Sequence, residues 1–141
     1  MRYLKVIAQD QSGIGQPDAL QFRFYEEGQL QREATQADLP GLKRLGAIYL
    51  KCAWYNTGES EARHLRIFAE NTTGDTTPET VRLHFHEGSQ IAYKAAVHDL
   101  DNDGVYEVVL STDVDNDGRA DRTDRSRVSA LVHEFLKNGW W

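Results

Sequence analysis

Residues 80–86, Thr80-Val81-Arg82-Leu83-His84-Phe85-His86, alternate apolar and polar side chains. In an extended chain successive side chains point to opposite faces, so Val81, Leu83 and Phe85 share one face and Arg82, His84 and His86 the other. That is the pattern of a half-buried β-strand. The same period of two runs through residues 20–25 (Leu20, Phe22, Phe24), 47–55 (Ile48, Leu50, Cys52, Trp54) and 64–69 (Leu65, Ile67, Ala69). Residues 3–8 and 90–97 repeat it more weakly, and 105–110 form a nearly continuous apolar run suited to a more buried strand. Turn chemistry separates the runs at Gly13-Ile14-Gly15, Leu39-Pro40-Gly41, Asn56-Thr57-Gly58, Asn71-Thr72-Thr73-Gly74 and Glu87-Gly88. Strands at short intervals with no alternating helices predict a mainly β fold, an antiparallel β-sandwich of immunoglobulin-like or jelly-roll-like type.

The period changes at the C-terminus. Val128, Leu131, Val132, Phe135 and Leu136 recur at intervals of three and four, the stripe of an amphipathic helix. One helix is expected over 125–138, capped by Asp124 or Ser126 and stopped by Asn138-Gly139. Trp140 and Trp141 then either fold back on the helix or fray. The organisation read from these patterns is a single domain over 1–141, with a β body over 1–98, an acidic stretch over 99–124 and the terminal helix.

At 141 residues the chain is long enough to bury a core without metal or disulfide staples, and a lone Cys52, on the inward face of its expected strand, allows no internal bridge. No run approaches the roughly 18 apolar residues of a membrane span, and the first ten residues lack an apolar signal core. The net charge of −6 argues against a nucleic-acid partner.

That charge is confined. Residues 99–125 hold nine acidic side chains and three arginines, so this stretch alone carries −6 and the other 114 residues sum to zero. Within it, Asp99-Leu100-Asp101-Asn102-Asp103-Gly104-Val105-Tyr106-Glu107 and Asp113-Val114-Asp115-Asn116-Asp117-Gly118-Arg119-Ala120-Asp121 form a near-repeat with a spacing of 14 residues. Oxygen donors at positions 1, 3 and 5, a glycine at 6, a main-chain carbonyl at 7 and a donor at 9 make the layout of a calcium loop. Short carboxylates on alternate residues of a curled backbone converge on one point, and the glycine permits the bend that brings the carbonyl into the shell. The first donor set is Asp99, Asp101, Asp103, the Val105 carbonyl and Glu107; the second is Asp113, Asp115, Asp117, the Arg119 carbonyl and Asp121, with Asp124 at position 12. Leu110 occupies position 12 of the first loop, so the second is expected to bind more tightly. All donors are hard oxygens, which favours Ca2+ over zinc, and the many carboxylates suit it better than magnesium. Only Ser111 and Thr112 separate the two twelve-residue units, too few for a helix, which excludes a paired EF-hand and predicts that loop one opens into a strand.

The second loop and the helix after it, residues 113–137, resemble the loop-helix half-hand of dockerin modules, and residues 96–110 resemble the calcium loops of FG-GAP repeats. Residues 54–62, Trp54-Tyr55-Asn56-Thr57-Gly58-Glu59-Ser60-Glu61-Ala62, are similar to the strand-turn-strand of bacterial immunoglobulin-like adhesion modules. These resemblances imply the ligand roles named above. A dockerin has two loop-helix repeats and FG-GAP proteins have many, whereas this chain has one of each kind, so neither cohesin binding nor a propeller is implied.

His84 and His86 have the spacing of metal ligands, but they share their face with Arg82 and are expected as exposed surface residues. His98, beside Asp99, is within reach of a ligand carboxylate. Asn71-Thr72-Thr73 matches a glycosylation acceptor. The functional expectation is a non-enzymatic module with two calcium ions acting as a structural clamp, in a secreted or periplasmic setting, with a protein or surface ligand as partner. The competing readings are a calcium-stabilised hydrolase-like enzyme and a calcium-responsive sensor; no nucleophile motif or phosphate-cradling loop supports the enzyme, and no helix pair supports the sensor.

Overall fold

The computed structural model describes residues 1–71, 78–99, 108–110 and 122–141, of which 108–110 are described by their backbone. In chain order the elements are β1 (Arg2–Asp10), β2 (Ala19–Glu26), β3 (Gln29–Glu33), α1 (Leu39–Leu50), β4 (Asn56–Thr57), β5 (Arg63–Glu70), β6 (Thr80–Glu87), β7 (Gln90–His98), β8 (Val108–Leu110) and α2 (Arg122–Asn138). The fold is therefore mainly antiparallel β with a C-terminal helix, as the alternation predicts. All these strands belong to one sheet of order β3-β2-β1-β5-β6-β7-β8, antiparallel throughout, with β4 added parallel to β1.

The sheet has one apolar face, and its covering layer is the pair α1 and α2. Leu4 and Val6 of β1, Phe22 and Phe24 of β2, Leu65 and Ile67 of β5, Val81, Leu83 and Phe85 of β6 and Val97 of β7 lie buried in one cluster with Leu42, Leu45 and Tyr49 of α1 and Val128, Leu131 and Phe135 of α2. The sandwich is thus sheet against helices. The two helices meet where a Cβ added at Gly41 would lie 2.9 Å from Asn138 Oδ1, a distance only glycine permits without a shift.

Two local readings change. Residues 39–50 are helical, although alternation over 47–55 pointed to a strand. Leu42, Leu45, Gly46 and Tyr49 form a buried helical stripe, and Pro40 sits in the first turn, where its missing N–H costs nothing. Cys52 is buried as expected, but in the turn after α1. The terminal helix starts at Arg122, so Asp124 lies in its first turn and Ser126 inside it, neither at the cap. It ends as expected, at Gly139 with φ 71°. Trp140 folds back onto the sheet, edge-on to Phe24 at 5.2 Å, with its indole N–H donating to the carbonyls of Tyr3 and Tyr25.

Candidate functional site

The acidic stretch begins in sequence directly after β7, and within it β8 and the first turn of α2 are described. Asp99 directly follows β7, its N–H donating to the Glu79 carbonyl at 2.7 Å, and its side chain is buried. One residue earlier, His98 stands opposite Val108 of β8, so residues 99–107 join two antiparallel neighbours at one edge of the sheet. The expectation that the first loop leads into a strand agrees with this pairing. Asp124, position 12 of the second loop, is fully buried in the first turn of α2. A carboxylate there also faces the positive end of the helix dipole. Of the expected donors, Asp99 is thus placed directly after β7 and Asp124 in the first turn of α2, while Asp101, Asp103, Val105, Glu107, Asp113, Asp115, Asp117, Arg119 and Asp121 lie outside the described residues, as do Thr72 and Thr73 of the glycosylation triplet. Among the described residues no three His, Cys, Asp or Glu side chains form a cluster that could hold a metal.

The histidines differ from expectation. His86 is buried at 7% exposure and His84 is half-buried, because the sheet register stacks them against β5. His64 pairs with His86 across the strands, and the two rings lie parallel with centroids 4.8 Å apart. His64 Nε2 accepts from Arg66 Nε at 3.1 Å; since guanidinium only donates, this fixes the neutral tautomer with its proton on Nδ1, facing the Glu61 carbonyl at 3.4 Å. Burial first, then the charges of Lys5 and Arg66, lowers the pKa of His64 to about 4. Burial, followed by Arg66, His84 and Lys5, brings His86 to about 4 as well. Nδ1 of His86 is buried and has no hydrogen-bond partner among the described residues. His98 meets Thr80, with Nδ1 and Oγ1 at 3.0 Å.

A hydrogen-bonded wall borders this histidine pair. Gln9 Nε2 donates to the Ser60 carbonyl, Gln21 Nε2 donates to Gln9 Oε1, and Arg23 Nη2 reaches both Gln21 Oε1 at 2.7 Å and Glu61 Oε1 at 2.6 Å. The Arg23 hydrogen bond holds the Glu61 carboxyl below its ordinary range. Composition could not reveal this cluster, because each strand contributes one or two members and only the register brings them together. No protein-family model, curated protein or solved structure matches the chain.

Proposed function

We propose that the chain is a non-enzymatic calcium-binding module in which two ions clamp the stretch between β7 and α2, serving an interaction or adhesion role outside the cell. The observation that carries this reading is the near-repeat Asp99–Glu107 and Asp113–Asp121, which contains the donor pattern twice and concentrates the net charge of the chain. Without a cation those carboxylates repel one another; with one they become its ligands, so binding and local ordering are coupled. Support comes also from the two ends of the stretch. Asp99 and Asp124 are buried donors seated on a strand end and a helix turn, the rigid supports that hold a ligand set in geometry. An all-oxygen donor set suits calcium, whose role here would be charge neutralisation and cross-linking of β8 to α2.

The test is calorimetric melting with calcium and with chelator. At free calcium about one hundred times the dissociation constant, mass action adds about 2.7 kcal/mol, a clear rise in Tm. Equal midpoints would remove the proposal. Titration calorimetry with an Asp113→Ala plus Asp117→Ala variant should lose the tighter of two binding events and keep the other.

A further inference from the structure

The face of the sheet turned away from the helices carries a row of basic side chains that neither the sequence pattern nor calcium accounts for. Lys5 stands opposite Arg23 of β2 on one side and Arg66 of β5 on the other; Arg66 stands opposite His84 of β6, and His84 opposite Lys94 of β7. Five basic residues thus line up directly across five adjacent strands, over roughly 19 Å at the usual strand spacing. Lys5 faces a like charge on either side, in Arg23 and Arg66, and like charges directly opposite one another work against the stability of the free protein. Glu61 and Glu33 both pair with Arg23, at 2.6 and 3.4 Å, and Glu70 pairs with Arg82 beside the row at 2.7 Å. Lys5 and Arg66 form no ion pair among the described residues. Burial first, then Arg23 and Arg66, lower the pKa of Lys5, with Glu61 opposing them in part. His64 and His86 lie alongside the row, with the unpartnered His86 Nδ1.

We propose that this face binds a small linear oligophosphate, its successive phosphate groups lying along the row Arg23–Lys5–Arg66–His84–Lys94 with Lys5 and Arg66 as the central contacts. Phosphate oxygens suit both, the guanidinium through paired N–H donors and the ammonium as a point charge. Three linked phosphates fit within the length of the row. A long nucleic-acid strand would extend past it, on a chain whose overall charge is −6.

Isothermal titration with sodium tripolyphosphate, in calcium-free buffer at fixed ionic strength, decides the matter, with circular dichroism confirming the sheet under the same conditions. Tripolyphosphate should bind at least about tenfold more tightly than orthophosphate, and Lys5→Gln should weaken it by about tenfold or more. Imidazole NMR signals of His64, His84 and His86 should move with the same saturation curve, while that of His133 on α2 stays in place. Arg66→Gln serves as a second variant should Lys5→Gln alter the fold. Absence of saturation at millimolar tripolyphosphate, equal affinity for orthophosphate, or binding unchanged in both variants overturns the proposal. So does tighter binding of a single-stranded oligothymidylate at equal phosphate concentration, which would assign the face to nucleic acid.

Discussion

Asp10 closes the loop after β1 by accepting main-chain hydrogen bonds from Gly13, Ile14 and Gly15 at 2.9, 3.0 and 2.8 Å. Its carboxylate is buried, and Gly13 and Gly15 supply positive φ values of 75° and 87° that turn three successive N–H groups toward it. Removing the acceptor leaves those donors to find water in a closed loop. Asp10→Ala is expected to cost about 2 to 3 kcal/mol in urea denaturation, and Asp10→Asn less, since one acceptor oxygen remains. Equal stability of the alanine variant would show that the loop holds by other means. The glycines marked a turn in the sequence, but nothing in the spacing identified the residue that anchors it. The same limit applies to Asp99 and Asp124: their side-chain chemistry was legible from the repeat, whereas their burial depends on β7 and α2 being where they are.

At the scale of elements, the strands were legible because a half-buried strand exposes its phase in every second residue, as Val81, Leu83 and Phe85 do. The helix α1 was not, since residues 42–54 satisfy two periods at once. Ile48, Leu50, Cys52 and Trp54 alternate, while Leu42, Leu45, Gly46 and Tyr49 follow the helical interval. Packing decides between them. The helical choice buries Tyr49 completely, with its hydroxyl donating to the Trp54 carbonyl at 2.9 Å, and leaves Leu50 at the surface. It also requires a close approach to β2, where a Cβ at Gly46 would stand 3.0 Å from Leu20 Cδ1 and 3.1 Å from Phe22 Cζ. Gly46→Val should therefore destabilise the protein by about 1 to 3 kcal/mol through overpacking, despite the low helix propensity of the glycine it replaces. A neutral or stabilised variant in the same denaturation assay would mean that α1 does not sit this close to the sheet.

Across the whole molecule, the two faces of the sheet carry opposite liabilities: one hides hydrophobic residues under helices, the other holds histidines neutral beneath basic side chains. This second arrangement makes stability depend on pH. His64 and His86 titrate at about 4 in the folded chain against 6.5 when unfolded, so between those values the unfolded chain binds protons that the native one does not. The stability they contribute is complete above pH 6.5, falls as the pH drops through the window, and is fully lost below about 4. Among the described residues the upper part of that window belongs to the histidines, because the perturbed carboxyls of Asp18, Asp38 and Glu61 are all lowered from ordinary values of 3.8 to 4.5 and act only in stronger acid. From pH 7 to pH 5 each ring should account for a loss of about 2 kcal/mol, at about 1.4 kcal/mol per pH unit below 6.5. Guanidinium denaturation at the two pH values, on the natural sequence and on a His64→Gln plus His86→Gln variant, separates this from the general effect of acid. The natural sequence should lose several kcal/mol more than the variant over that interval. Parallel losses in the two proteins would mean that the pair is already protonated or exposed in the native state, and that burial and the neighbouring charges do not hold it neutral.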